Sequence, residues 1–200
     1  MNMASEIFNP LDKHNLAKSI ANEIFSRPAI PLLNLQQFFG AGIYALYYKG
    51  NFPLYAIIAK SNEKEFSNPI YAGKAVPEGA RKGGMGLETP SGTFLFRRLM
   101  EHKKSIEAAK NLDIADFYCR YLIVDDIWIP LGESLLIEIS RPLWNYALDG
   151  FGNHDPGKGR YNQQKSSWDM LHPGREWAEK LQTGKSLAEV QSIVKKFLSK

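Results

Sequence analysis

The chain has 200 residues, 44% of them hydrophobic and 23% charged, with a formal net charge of +4 at pH 7 and a single cysteine. That length suits one domain with embellishments, and that apolar share supports a packed core rather than a disordered chain. Cys119, standing alone, excludes an intramolecular disulfide and any cysteine-cluster zinc site, and no apolar run approaches the roughly 20 residues of a bilayer span.

The N-terminal Met1–Glu6 has neither a basic nor an apolar signal region, so a soluble intracellular protein is expected. Asn9-Pro10-Leu11-Asp12 reads as a helix entry, and Leu16, Ile20, Ile24 and Phe25 recur at helical spacing through Ser26. Arg27-Pro28 ends that helix. Residues 1–38 thus read as a helical arm, able to pack on the domain, meet a second subunit or wrap DNA. From Gly42 to Tyr48, Ile43, Ala45 and Tyr47 alternate with Tyr44, Leu46 and Tyr48, which predicts a strand. Lys49-Gly50-Asn51 reads as a turn and Pro53 to Ala59 as a returning strand, making a hairpin. A charged loop from Asn62 to Asn68 leads into a short strand from Pro69 to Gly73.

Glu78 to Gly92 is rich in glycine and carries Arg81 and Lys82, which reads as a polar, basic loop. Ser91 or Thr93 can cap a helix running to about Asn111. Asp116 to Val124 is the next predicted strand, and Leu131 to Arg141 a short helix stopped by Pro142. Beyond Asp149 the chain changes character, with recurrent glycines among Lys158, Arg160, Lys165 and Arg175. A helix from about Leu187 to Leu198 closes it.

Several residues along this path have chemistry to offer, and each alone has a plain structural reading. Tyr44 and Tyr71 lie in strand-like runs, where tyrosine is favoured for packing. Arg98 and His102 stand at i and i+4 on one helical face, in a neighbourhood already basic with Arg97, Lys103 and Lys104. Glu133 opens a helix, where an acid suits the dipole, and Glu138 is a rival carboxylate. Asn145 follows Pro142-Leu143-Trp144 as an ordinary helix-end residue.

In their order, however, Gly42-Ile43-Tyr44, Tyr71-Ala72-Gly73-Lys74, Arg98 with His102, Glu133-x-x-Leu136-Ile137 and Asn145 resemble the GIY-YIG nuclease superfamily over about Phe39 to Tyr146. The resemblance implies an α+β fold, a small antiparallel sheet flanked by helices. The catalytic domain would span residues 39–148, with a DNA-contacting extension over 149–200. It implies that Tyr44, Tyr71, Arg98, His102, Glu133 and Asn145 form the site of a phosphodiester hydrolase. Glu133 would hold Mg²⁺, for which Mn²⁺ can substitute; Arg98 would meet the developing phosphoryl charge; and Tyr44 would position or deprotonate water with help from His102 or Lys74. Ala72 stands where the family signature has isoleucine, and the gaps from Tyr44 to Tyr71 and from Lys74 to Arg98 are long for the family.

A compact chain with insertions and no separate DNA-binding module resembles the type II restriction branch that cuts CCGCGG-type palindromes, acting as a homodimer in the bacterial cytoplasm. Lys74, Arg81, Lys82, Lys158, Arg160, Gln163, Lys165 and Arg175 are the expected DNA contacts, with Arg160 beside Gln163 and Gln164 the candidate for base reading. A monomeric nickase and a catalytically silent DNA-binding module are the competing readings. His154-Asp155 and His172 lack the ordered ligand set of an HNH-like metal site, and Gly83-Gly84-Met85-Gly86 lacks the Lys-Ser/Thr ending of a phosphate-binding loop.

Overall fold

Strand β2 (Gly42–Tyr48) is buried at every residue, and that decides the architecture. A strand apolar on both faces must lie inside a sheet that is itself covered on both sides. The computed structural model describes residues 12–77 and 92–199. In it β2 pairs antiparallel with β4 (Phe117–Ile123) on one side and with β3 (Tyr71–Ala75) on the other. A two-residue strand, β1 (Ile30–Pro31), pairs antiparallel with β4, giving among the described residues the order β1-β4-β2-β3 with β3 at an edge.

The alternation along β2 sorts its side chains into two cores. Tyr44, Leu46 and Tyr48 pack with Leu95, Leu99 and Ile106 of α3 (Phe94–Ala108), Trp144 of α5 (Leu143–Tyr146), Trp168 of α6 (Ser167–Leu171) and Val190 and Val194 of α7 (Leu187–Leu198). Ile43, Ala45 and Tyr47 face the other way, onto Ile24 of α1 (Lys13–Ser26) and Ile129 and Leu136 of α4 (Ile129–Ser140). The fold is α+β, a small antiparallel sheet between helical layers. The N-terminal segment takes the first of its three possible destinations: α1 packs against α4 and β4. No described helix is long and apolar enough to cross a membrane.

One predicted element is corrected. Pro53 to Ala59 does not return as a strand; Pro53–Tyr55 forms a 3-10 turn that continues into α2 (Ala56–Ser61). Both edges of β2 are already taken by β3 and β4, so no ladder position remains for a hairpin partner. Tyr55 and Ile58, three residues apart, are buried while Ile57 is 60% exposed, which is helical periodicity. Asn62 fixes the following loop: its amide donates to the carbonyls of Tyr48 and Asn68 and accepts from the Asn68 N–H.

Arg175 is a second correction. Expected as a DNA contact, it is only 4% exposed. Its guanidinium donates to both Asp169 carboxylate oxygens and to the carbonyls of Gly150, Phe151 and Asn153. All five donors of an arginine are thereby used, so none is left for a phosphate.

His172 is the other buried polar hub of the C-terminal segment. Asn111 Oδ1 can only accept, so Nδ1 of His172 donates to it and Nε2 accepts from the Tyr55 hydroxyl, itself bonded by Trp144 Nε1. Burial pushes His172 down to about 3. A folded value below the unfolded one means that the unfolded chain takes up a proton which the native state refuses. The stabilisation is therefore complete above the ordinary histidine value of about 6.5 and is lost as pH falls toward 3, by about 2 kcal/mol at pH 5. His102 is displaced in the same direction and adds to the effect. Denaturation free energies measured across this range should fall with pH, and His172→Gln should reduce the slope by about one proton; an unchanged slope would refute the assignment.

Candidate active site

The edge position of β3 lets groups from both helical layers meet. Tyr71 points into the core shared with Tyr44, whereas Ala72 points to the opposite core beside Ile43. The small side chain at Ala72 therefore faces away from the tyrosines. In the β2–β3 register Tyr44 sits opposite Gly73. A Cβ on Gly73 would stand 2.5 Å from the Tyr44 hydroxyl and 2.8 Å from its ring, so glycine makes room for the phenol. The two tyrosine rings lie 6.2 Å apart.

From α3, Arg98 and His102 project to the same place. His102 is buried, its Nε2 lies 2.6 Å from the Tyr44 hydroxyl, and its ring stacks on Phe151 at 4.5 Å. Arg98 donates to Glu101 at 2.8 Å and to the Gly152 carbonyl at 3.1 Å, and its Nη1 lies 2.6 Å from His154 Nε2. Arg97, the neighbour in sequence, lies over the Phe94 ring and helps line a cleft of about 270 Å³ together with Lys74, Ala75, Val76, Phe94, Arg98 and Glu101.

From α4, on the other side of the sheet, Glu133 reaches over the edge and pairs with Lys74 at 2.6 Å. Its charge bears on both Tyr44 and Tyr71. Glu138, the rival acid, is exposed further along α4. Asn145 of α5 donates to the Ala72 carbonyl and accepts from the Ala72 N–H, both at 2.8 Å.

The electrostatics follow from burial. Burial first, then the neighbouring Tyr71, hold Tyr44 well above the ordinary tyrosine value, with Arg98 pulling the other way. Tyr71 is raised for the same first reason, again against Arg98. Burial, then the Arg98 charge, hold His102 well below the ordinary histidine value. At neutral pH the centre therefore contains neutral phenols and a neutral imidazole, one hydrogen bond apart, beside a permanent guanidinium.

Among the described residues no three His, Cys, Asp or Glu gather as a metal cluster. The site offers one half-buried carboxylate, Glu133, already beside an ammonium. Such a donor set does not suit zinc, which wants three or four nitrogen or sulfur ligands. It fits Mg²⁺, which keeps several waters and takes one or two carboxylates plus substrate phosphate oxygens.

The structure thus brings Tyr44, Tyr71, Lys74, Arg98, His102, Glu133 and Asn145 together from five separate elements, β2, β3, α3, α4 and α5. Lys158, Arg160 and Gln163 lie exposed on the C-terminal segment. Lys165 is largely covered and paired with Glu179 at 2.9 Å. Arg81 and Lys82 lie outside the described residues. Sequence reasoning missed Gly152 and His154, which meet Arg98 from more than fifty positions away; no local spacing signals such a contact.

Residues 36–198, most of the chain, match the family model described as the Eco29kI GIY-YIG domain. No individual curated protein matches.

Gly73→Ala tests the packing of this centre. Tyr44 is fully enclosed and cannot yield to the added methyl group, so the substitution should cost about 1–3 kcal/mol of stability in denaturant titration. A variant as stable as the parent would show that Tyr44 has room to move.

Proposed function

Because the chain belongs to the Eco29kI GIY-YIG family of restriction endonucleases, we propose that it is a type II enzyme hydrolysing phosphodiesters in both strands of double-stranded DNA. The observation that supports the chemistry is the convergence of two phenols, a guanidinium and a carboxylate at one sheet edge. These residues come from β2, β3, α3 and α4, and packing alone gives no reason for them to meet.

Their roles follow from their protonation states. Arg98 carries the charge that opposes the growing negative charge on the phosphoryl oxygens. Tyr71, a neutral phenol beside it, donates a hydrogen bond to the same group. Tyr44 acts as a phenol rather than a stored phenolate: it helps to orient the attacking water, its hydroxyl fixed by the hydrogen bond to His102. Glu133 would hold Mg²⁺, or Mn²⁺ in its place. The bound cation would neutralise charge on the phosphoryl and departing 3′-oxygens. Lys74, close by, offers an ammonium for which a DNA phosphate can compete with Glu133. Asn145 keeps β3 in place.

The substrate is proposed to be a short GC-rich palindrome of the CCGCGG kind. A two-fold site and one active centre per chain call for a homodimer, each protomer cutting one strand. Lys158 and Arg160 would grip the backbone, and Arg160 with Gln163 would read base edges. The bacterial cytoplasm is the proposed setting.

Supercoiled plasmid incubated with the protein and Mg²⁺ distinguishes the readings. Discrete linear fragments are expected, and Glu133→Ala and Arg98→Ala should each slow cleavage by at least about a hundredfold. Open circles alone would replace the restriction reading with a nickase, and intact plasmid of retarded mobility would reduce the protein to a DNA-binding module.

A further inference from the structure

Arg98 is the guanidinium of the site, and two of the three groups that hold it come from the C-terminal segment. Nη1 meets Glu101 Oε2 at 2.8 Å and His154 Nε2 at 2.6 Å, while Nη2 donates to the Gly152 carbonyl at 3.1 Å. Arginine has donors and no acceptor, so the contact with His154 can run in one direction only. Nη1–H donates and Nε2 accepts, so this hydrogen bond requires the His154 tautomer that carries its proton on Nδ1. Both Nη1 hydrogens are then committed, the plane of the guanidinium is set, and its remaining donors are left toward Tyr44 and Tyr71.

Two further observations separate this from a chance surface contact. The approach is as close as the backbone permits: a Cβ on Gly152 would lie 3.0 Å from the Tyr71 hydroxyl and 3.1 Å from Arg98 Nη2. The turn bearing Gly152 is anchored from behind, because buried Arg175 binds the carbonyls of Gly150, Phe151 and Asn153. The His154 side chain itself is 63% exposed, so it contributes little to the core.

We infer that His154 is a positioning residue for the nuclease site, accepting a hydrogen bond from Arg98 so that the guanidinium faces the scissile phosphate. This rests on the nuclease reading above. A guanidinium turned out of line by about 1 Å costs on the order of a hundredfold in rate. His154→Ala should therefore lower kcat on plasmid DNA by about tenfold to a hundredfold with KM unchanged. His154→Gln, which keeps an acceptor, should restore most of the loss, while His154→Lys should not. Thermal midpoints of all three should match the parent.

An unchanged kcat in His154→Ala would overturn the inference. So would a raised KM rescued by lysine, which would make His154 a direct phosphate contact. If the parent protein cuts no DNA, the nuclease reading fails instead, and the geometry is judged without activity. Long-range ¹H–¹⁵N spectra should then show His154 as the Nδ1–H tautomer, lost in Arg98→Ala; an Nε2–H tautomer in the parent would refute the hydrogen bond.

Discussion

The site depends on a sheet edge that is protected without being covered by any other described strand. An edge strand presents N–H and C=O groups with no ladder partner, which invites pairing with other chains. A fifth strand beyond β3 would satisfy those groups but would also wall off Lys74 and the rim over which Glu133 reaches. Asn145 resolves the conflict with a single side chain, its amide serving both the N–H and the carbonyl of Ala72. The backbone N–H of Trp144 takes the carbonyl of Ile70 just upstream. A helix of four residues thus does the work of a strand at two positions and leaves the rest of the edge without a partner strand among the described residues. Each such bond is worth about 1 kcal/mol net, but their positional effect is larger, since β3 carries both Tyr71 and the glycine that accommodates Tyr44.

Burial then dictates what kind of chemistry the edge can support. Tyr44 lies under the sheet's helical cover, where a phenolate would lose its hydration, and the Arg98 charge does not compensate. His102 is kept neutral by the same enclosure and by that guanidinium. The fixed charges of the site therefore sit at its solvent side, on Arg98, Glu101, Lys74 and Glu133, while the neutral phenols and the imidazole sit beneath them. An anionic phosphodiester enters a rim that is already charged and meets hydrogen-bonding groups that are not. That order avoids placing a stored negative charge under the incoming phosphate.

How much of this could be read from the sequence varies with the range of the interaction. Alternation along Gly42–Tyr48 is a local signal and gave a strand with the correct bounds, and Leu187–Leu198 was legible for the same reason, with Ser186 and Glu189 closing a capping box at its start. Pro53–Ala59 is a short apolar run, which local pattern cannot divide between helix and strand; the occupied edges of β2 made the choice. Tyr44, Tyr71, Arg98, His102, Glu133 and Asn145 could be proposed because their order along the chain resembles a family, not because any spacing shows that they meet. Arg175 was misassigned because a buried arginine and an exposed one look alike until a partner such as Asp169 is seen to enclose it.

Arg175 also explains why the C-terminal segment is more than an appended grip on DNA. Burying a carboxylate and a guanidinium is costly unless every lone pair and proton finds a partner. Here both oxygens of Asp169 are bound, Ser166 adds a bond to one of them, and the remaining arginine donors collect three backbone carbonyls. The indole rings of Trp168 and Trp177 flank the cation at 4.5 and 4.7 Å. A pair satisfied to this degree fixes the path of residues 150–153 rather than merely offsetting its own desolvation. That path sets the Phe151 ring against His102 and the Gly152 carbonyl against Arg98. The functional face of α3 is therefore shaped from the far end of the chain: the helix supplies the arginine and the imidazole, and the segment after Asp149 supplies the surfaces that hold them still.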